Sequence, residues 1–410
     1  MTHVDRDPSK ISERAIVFCV GAVQFVNILD FMIVMPLGPD FARALDIPLS
    51  HLGYVGGSYT AAASVSGLAG AFFLDRFDRR KALGVAMMGL VLGTLAGAFA
   101  QGLASLMAAR IVAGAFGGPA TSLSYSIIAD VIPPERRGRA MGAVMGAFSL
   151  ASILGVPAGL ELARQGGWKL PFIAVAVLGA ILGTYAHAAL PPMIGHLAAA
   201  RKRSMGRDLL ELARGDIFLS LAMTFVVMMA SFILIPNISA YVLFNLGYPR
   251  SRLGLLYLVG GAVSLVTMRF VGKLVDRHGS VPVGTFGVLL LAVIVYTSFV
   301  MVPPVLPVMV IFAGFMVAMA FRNVAYNTLT TKVPRPDERA RFSSVQSAVQ
   351  HLASALGAFA SAQFLSENAD HSLVGVGQIA MVSIALGLVL PPFLWAVERR
   401  VASSASSARK

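Results

Sequence analysis

The sequence carries one short motif twice, as Gly272-Lys273-Leu274-Val275-Asp276-Arg277-His278-Gly279 and as Ala71-Phe72-Phe73-Leu74-Asp75-Arg76-Phe77-Asp78. Each copy follows a long apolar segment and precedes another, which predicts a tight, charged turn between two membrane helices. Asp75 and Asp276 lie 201 residues apart in a chain of 410 residues, and the stretches 134–139 and 336–341 repeat at nearly the same offset. The sequence therefore consists of two similar halves, a symmetry typical of transporters built from repeated helix bundles.

The composition indicates a polytopic membrane protein. Hydrophobic residues make up 57% of the chain and the mean hydropathy is +0.76, whereas soluble chains hold about 45–50% apolar residues. The net charge of +13 is dispersed over many short loops, so it does not form the basic surface that nucleic-acid binding needs. The single cysteine, Cys19, rules out internal disulfides and thiolate metal sites. We expect no cofactor and no metal.

Twelve segments hold the roughly 20 mostly apolar residues that a spanning helix needs. They are 15–37, 51–74, 82–100, 104–129, 140–161, 170–190, 217–245, 253–275, 281–301, 306–330, 342–365 and 373–397. This pattern predicts an all-α membrane protein of twelve transmembrane helices in two pseudo-symmetric six-helix bundles, 15–190 and 217–397. A basic linker, 191–216, joins the bundles, and short tails, 1–14 and 398–410, flank them.

The distribution of basic residues predicts the orientation of the chain. Most of the 33 Lys and Arg residues fall in loops on the same side as both termini, and five fall on the opposite side: Arg43, Arg164, Lys169, Arg250 and Arg252. Because basic loops stay in the cytoplasm, both termini are expected there, in a multi-pass protein of the cell (inner) membrane. The first apolar segment is long enough to span, so no removable signal peptide is expected.

Three ionisable residues lie well inside apolar segments, where charge is costly and therefore a candidate for function: Asp30, Arg110 and Arg322. Asp30 and Arg110 reach a similar depth, roughly 10 Å from the outer surface, and would neutralise each other if they faced. Gln24, Asn27 and Asp30 follow at steps of three, which predicts a polar stripe facing a water-filled cavity. The pair could carry function, or it could only lock two helices together.

Arg322 belongs to a polar cluster deep in the tenth segment, with Asn323, Tyr326 and Asn327. Three interpretations of Arg322 remain open at this point. It could bind an anionic substrate group, it could pair with Asp30 across the two halves, or it could extend toward the cytoplasmic interface. In the seventh segment Asn237 follows Pro236, and a proline there frees backbone groups to line a cavity.

With twelve spans, two halves and the doubled turn, the chain resembles the major facilitator superfamily, whose turn reads Gly-x-x-x-Asp-Arg-x-Gly followed by basic residues. The second half matches at Gly272, Asp276, Arg277 and Gly279, while the first half keeps Asp75 and Arg76 but has Ala71 and Asp78 at the glycine positions. The resemblance implies that this aspartate caps and pairs across helices, and so holds the outward-facing state shut at the cytoplasmic side.

Two further stretches resemble the proton-coupled exporters of that superfamily. Arg110 and Gly114 look like the Arg-x-x-x-Gly element of its proton-coupled members. The fifth segment is similar to the glycine- and proline-rich signature of drug:proton antiporters, through Gly146, Gly155, Pro157 and Gly159. With Gly167-Trp168-Lys169 and Phe172, the chain looks most like the arabinose-efflux-like branch. Glycines at helical spacing let helices approach and slide.

The sequence thus predicts a secondary active transporter that works by alternating access, as a monomer in the lipid bilayer. The expected activity is proton-coupled export of a small organic molecule such as a drug, a sugar or another metabolite. An uptake symporter for a small organic or anionic solute shares the fold and is the alternative. A membrane-embedded enzyme is remote, because the chain has no Cys pair, no His-x-x-His cluster and no facing carboxylate dyad.

Overall fold

The computed structural model describes residues 12–194, 214–301, 306–334 and 339–407. In these ranges twelve long helical elements follow one another. The first six are α1 (Glu13–Leu45), α2 (Leu52–Phe73), α3 (Arg79–Ala98), α4 (Leu103–Val131), α5 (Pro134–Leu150, then a wider turn, Ala151–Gly155, then Val156–Gly166) and α6 (Lys169–Ala189). The prediction of an all-α membrane protein is confirmed.

The second six elements begin after the predicted linker, most of which (195–213) lies outside the described residues. They are α7 (Gly215–Phe232, Ile235–Asn237, Ile238–Ala240 and Tyr241–Asn245), α8 (Leu253–His278), α9 (Ser280–Val295 and Tyr296–Val300), α10 (Val308–Thr330), α11 (Arg339–Phe364) and α12 (Val376–Leu388 and Leu390–Ser407). A small antiparallel hairpin, β1 (Ser366–Glu367) with β2 (Leu373–Val374), precedes α12.

Helix α1 runs further than the sequence predicts. It continues through Pro36 and Pro39 to Leu45 instead of ending near residue 37, and it stops where Asp46 takes the left-handed conformation (φ 53°). The N–H of Asp46 still bonds to the carbonyl of Ala42, so the last turn is satisfied despite the two prolines. Asp30 therefore lies nearer the middle of its helix than the predicted boundary implies.

Ten helices of the described chain are long and apolar enough to cross a membrane, and α2 and α11 do not reach that mean hydropathy. These two helices carry many small and polar residues, and they pack against each other between the bundles. Ser64 of α2 donates to the carbonyl of Ala348 at 2.8 Å, and Gly53 lies against the backbone of Ala358. Because their polar groups are satisfied across this interface, α2 and α11 do not need a fully apolar surface.

We call the face that holds the start of α1 the terminal face, and the other the opposite face. At the opposite face the two bundles are joined by polar contacts. Arg250 makes a two-pronged ion pair with Asp40, with Nε 2.8 Å from Oδ1, and Glu367 accepts from the N–H of Leu49 at 2.5 Å. At the terminal face the described ion pair of Glu13 with Arg136 (3.0 Å) lies within one bundle. The structure is thus latched at the opposite face.

Removing the latch charge should shift the conformational equilibrium. Arg250→Gln loses a half-exposed ion pair, which is worth roughly 1 kcal/mol, or about a fivefold change in the ratio of two conformations. With spin labels at Ala44→Cys and Ser251→Cys, one on each bundle, the share of long distances between the two labels should then increase. The native Cys19 is buried and stays unlabelled. The exposed Arg252→Gln is the control, and an unchanged distance distribution in Arg250→Gln would contradict the assignment of the latch.

Candidate functional site

Asp30 and Arg110 form a buried ion pair between α1 and α4, and their side chains are each 1% exposed. Nη1 of Arg110 lies 3.0 Å from both carboxylate oxygens of Asp30, and Nη2 donates to the Asp30 carbonyl at 3.3 Å. The two charges neutralise each other inside the first bundle, as predicted from their similar depth. An ion pair without water around it is stable only if its remaining hydrogen bonds are also made.

Two residues that the sequence analysis missed complete this pair. Thr94 of α3 places its hydroxyl 2.7 Å from Oδ1 of Asp30. Tyr59 of α2 lies under the guanidinium of Arg110, 4.6 Å from its ring centroid, in a cation–π contact. The sequence shows that these two residues are polar and lie in apolar segments. Only the packing of four helices shows that they contact the ion pair. Nε of Arg110 stays buried without a hydrogen-bond partner among the described residues.

The polar stripe of α1 does not face open water in this structure, so that prediction is wrong for this conformation. Gln24 and Asn27 are 5% and 4% exposed. Asn27 donates to the carbonyl of Gly117 at 3.0 Å and to Thr121 at 2.8 Å, and accepts from the hydroxyl of Tyr59 at 2.7 Å. The reason is local: Gly117 has no side chain, so Asn27 and Tyr59 fill the space that a Cβ would occupy.

Arg322 lies inside the second bundle and is 1% exposed. Nη2 donates to the hydroxyl of Ser231 on α7 at 2.7 Å and lies 2.9 Å from the sulfur of Met319. Nε and Nη2 approach Oδ1 of Asn323 at 3.3 and 3.2 Å. The side chain therefore neither extends to the terminal face nor pairs with Asp30, because Asp30 is held by Arg110 in the other bundle.

The other polar residues of the second half separate into buried and half-buried groups. Tyr326 is fully buried and accepts from Gln350 of α11 at 3.2 Å, while Asn323 and Asn327 are half-buried. Asn237 lies in a tight turn, Ile235–Asn237, that interrupts α7 after the proline. It donates to Ser361 at 3.1 Å, and its Oδ1 is buried without a partner among the described residues.

An aromatic contact that the sequence analysis did not anticipate joins the bundles near mid-membrane. Phe31 follows Asp30 on α1, and Phe232 follows Ser231 on α7. Their ring centroids lie 5.8 Å apart, and Tyr59 lies 5.4 Å from Phe31 on the other side. Both phenylalanines are half-buried. An aromatic surface is therefore available where the two bundles meet.

The two copies of the turn motif differ in structure. Gly279 ends α8 with φ 89°, a conformation that favours glycine. The equivalent Asp78 instead caps α3: its Oδ1 accepts from the N–H of Arg80 at 3.0 Å and of Met193 at 2.8 Å. Asp276 and Arg277 lie in the last turn of α8, are exposed, and make no hydrogen bond or ion pair with the part of the chain that the structure describes.

Other members of the motif give less detail. Arg76 is exposed, and the side chain of Asp75 lies outside what the structure describes. Gly272 has open space where a Cβ would stand. The turn is therefore not engaged as a cap by Asp276 in this conformation, whereas in the first half the capping carboxylate is Asp78. In the sequence, the presence of Asp78 at the motif's last glycine position could have indicated this cap.

The glycines of α5 fall into two groups. Gly155 and Gly159 receive the side chains of Leu29 and Ile33 of α1, with Pro157 between them, so these positions bring the two helices together. Gly146 has nothing within 4 Å of a would-be Cβ, so its assignment as a helix-packing residue is wrong. It lines a groove of about 930 Å³ between α1, α5 and α6, near the terminal face.

Twelve helical elements in two bundles, with an ion pair between apolar helices, form an architecture typical of membrane transporters. The chain belongs to the Major Facilitator Superfamily, whose family model matches residues 20–358. The predicted family and fold are thus confirmed, and this family consists of transporters and is not an enzyme class.

Among its relatives, the inner membrane transport protein YdhP of Escherichia coli is 26% identical over 367 residues, which cover 87% of this chain and 90% of YdhP. A chloramphenicol efflux pump of Mycobacterium tuberculosis is 25% identical over 258 residues, 62% of each chain. The purine ribonucleoside efflux pump NepI of Escherichia coli is 28% identical over 184 residues, 44% of this chain and 45% of NepI. The matches therefore span less than two thirds of these two pumps.

Solved structures show the same fold. A bacterial homolog of the human lysosomal transporter Spinster, in an inward-facing and unoccupied conformation, matches with a TM-score of 0.73 at 15% identity, over 95% of this chain and 98% of the homolog. A D-xylose-proton symporter matches with a TM-score of 0.73 at 17% identity, over 93% and 97% of the two chains. At these identities the likeness establishes the fold and nothing finer.

Removal of Asp30 and removal of Arg110 should reduce the stability of the protein by different amounts. Asp30→Leu leaves a buried guanidinium, which cannot be neutralised, and should destabilise the protein by about 3–5 kcal/mol. Arg110→Met leaves a carboxyl, which can take up a proton, and should cost less. The double variant Asp30→Leu/Arg110→Met should recover most of the loss. Thermal unfolding in detergent measures all three, and equal losses in the two single variants would refute this account.

Proposed function

We propose that the protein is a proton-coupled exporter of small organic molecules. The observation that carries the proposal is the buried pair of Asp30 and Arg110, with Thr94 beside it. A charge pair inside a membrane is costly to retain for stability alone. Asp30 is a carboxylate that can exchange a proton when a change in helix packing separates it from Arg110. Protonation would remove its charge and weaken the hold of α1 on α4.

The proposed cycle uses the two faces alternately. The basic loops favour a cytoplasmic position for the terminal face, and with it for both termini, and YdhP is named as an inner membrane protein. In the present conformation the external face is held by Asp40 with Arg250 and by Glu367 with Leu49. Proton uptake by Asp30 from outside requires that this latch opens and that the bundles rock about their interface.

The aromatic contact suggests the class of substrate. Phe31 and Phe232 are half-buried at the bundle interface, one residue from Asp30 and Ser231. Rings in that position suit an uncharged molecule with an aromatic or heteroaromatic face. Two relatives are named as pumps for chloramphenicol and for purine ribonucleosides, which are molecules of that kind. Export, the activity in both names, is the direction we propose.

Uptake by symport is the second candidate. A D-xylose-proton symporter has the same fold, and the fold allows either direction of coupling. The two candidates differ in the sign of one measurement. In an antiporter, addition of substrate to vesicles with an imposed proton gradient drives protons against the substrate's movement, whereas in a symporter both move together.

Asp30→Asn should abolish proton-driven transport. The variant keeps the shape of the side chain, but its amide replaces one acceptor oxygen with a donor and cannot exchange a proton. Proteoliposomes with an interior pH indicator, an imposed pH gradient and added chloramphenicol or a purine ribonucleoside give the measurement. Asp370→Asn, which changes an exposed loop carboxylate, is the control. Uphill transport by Asp30→Asn at the wild-type rate would sink the proton-coupling proposal.

Asp276→Asn should shift the population toward the conformation described above. Because Asp276 is exposed and unengaged here, its loss costs nothing in this state, while a state closed at the terminal face would lose a charge-assisted contact. Accessibility of single cysteines at the terminal face should rise severalfold in Asp276→Asn and stay at the wild-type level in Asp370→Asn. Equal accessibility in the two variants would count against a gating role for this turn.

A further inference from the structure

Arg322 is a buried cation without a buried anion. Its guanidinium is 1% exposed, and its described hydrogen-bond partners, Ser231, Asn323 and Met319, are all uncharged. Across the described ranges it forms no ion pair with a carboxylate, and its described hydrogen bonds use Nε and Nη2 and not Nη1. An unpaired charge in such a place costs several kcal/mol. A counter-ion would offset that cost.

The internal repeat indicates which group beside Arg322 differs from the first bundle. The offset of 201 residues between Asp75 and Asp276 also relates Asp30 to Ser231. In the first bundle an arginine of α4 meets the carboxylate of Asp30, and in the second an arginine of α10 meets the hydroxyl of Ser231. The second bundle thus has an arginine that contacts this position, while it carries no acid there. The arginines differ in register along their helices, but both reach this position on the first helix of their half.

The space beside Arg322 sets the size of the missing anion. Arg322 lines a cavity of about 10 Å³ between α9, α10 and α12, which holds roughly one water-sized particle. The hydroxyl of Ser383, also in its wall, donates to the carbonyl of Ala230 at 2.6 Å. The remaining wall is apolar, with Leu291 and Val295 of α9. So small a space favours a small anion over a larger organic one, and a neutral water would not cancel the charge.

We propose that Arg322 holds a small monovalent inorganic anion, of the chloride class, as its counter-ion in the second bundle. The anion takes the place that the carboxylate of Asp30 has in the first bundle. It lies in the cavity between α9, α10 and α12, against Nη1. This site is separate from the aromatic bundle interface, and it does not depend on the direction of transport or on the identity of the substrate.

The test is the thermal stability of the purified full-length protein in detergent, with chloride replaced by gluconate at constant ionic strength. Chloride should raise the Tm saturably by about 3 °C, bromide should substitute for it, and gluconate should not. Ser231→Asp places a carboxylate against Arg322, and Arg322→Met removes the cation. Both variants should therefore lose the chloride dependence. Arg252→Gln, an exposed arginine, should keep it.

Each outcome decides the proposal. Equal stability in chloride and gluconate for the wild type would overturn it, as would a chloride dependence that persists in Arg322→Met or in Ser231→Asp. If Arg322→Met does not fold, Ser231→Asp decides alone, because it adds a charge partner without removing one. The measurement involves no transport. It can therefore fail while proton coupling through Asp30 succeeds, and the reverse.

Discussion

The cost of charge inside a membrane is the constraint on which the first bundle depends. Asp30 and Arg110 are each 1% exposed and lie 3.0 Å apart, so neither can be moved without the other being left unpaired. The pair fixes α1 against α4, Thr94 adds α3, and the ring of Tyr59 adds α2. Four helices are thus positioned relative to one another by contacts with one ion pair. In the proposed function, a single proton on Asp30 weakens this same interaction.

Two helices rich in small residues, α2 and α11, pack against each other between the two bundles. Gly53 of α2 lies against the backbone of Ala358, and Gly57 lies against the ring of Phe359. Such close approach brings donors such as the Ser64 hydroxyl within reach of carbonyls on α11. The low hydropathy of α2 and α11 is therefore a consequence of facing protein, where polar groups find partners, and not lipid.

The two halves share a plan and differ in their chemistry. At the turn, Gly279 makes the chain reversal through a positive φ, whereas Asp78 makes it by capping α3. In the bundle core, Asp30 neutralises an arginine, whereas Ser231 only accepts a hydrogen bond from one. Symmetry thus supplies the scaffold on which alternating access works. The departures from symmetry leave a carboxylate–arginine pair in one half and an arginine with uncharged partners in the other.

The sequence by itself determined the family, the all-α membrane fold and the burial of Asp30, Arg110 and Arg322, because apolar length and intramembrane charge are properties of a segment. Only the tertiary structure decided the partners of these charges. The periodic spacing of Gln24 and Asn27 predicts that they share one face of α1, but it does not predict which residues pack on that face. The glycine at position 117 let α4 and Tyr59 cover that face. Likewise, the cluster around Arg322 suggested a contact with Asp30, but each charge takes its partner from its own bundle, because side chains reach only the helices packed beside them.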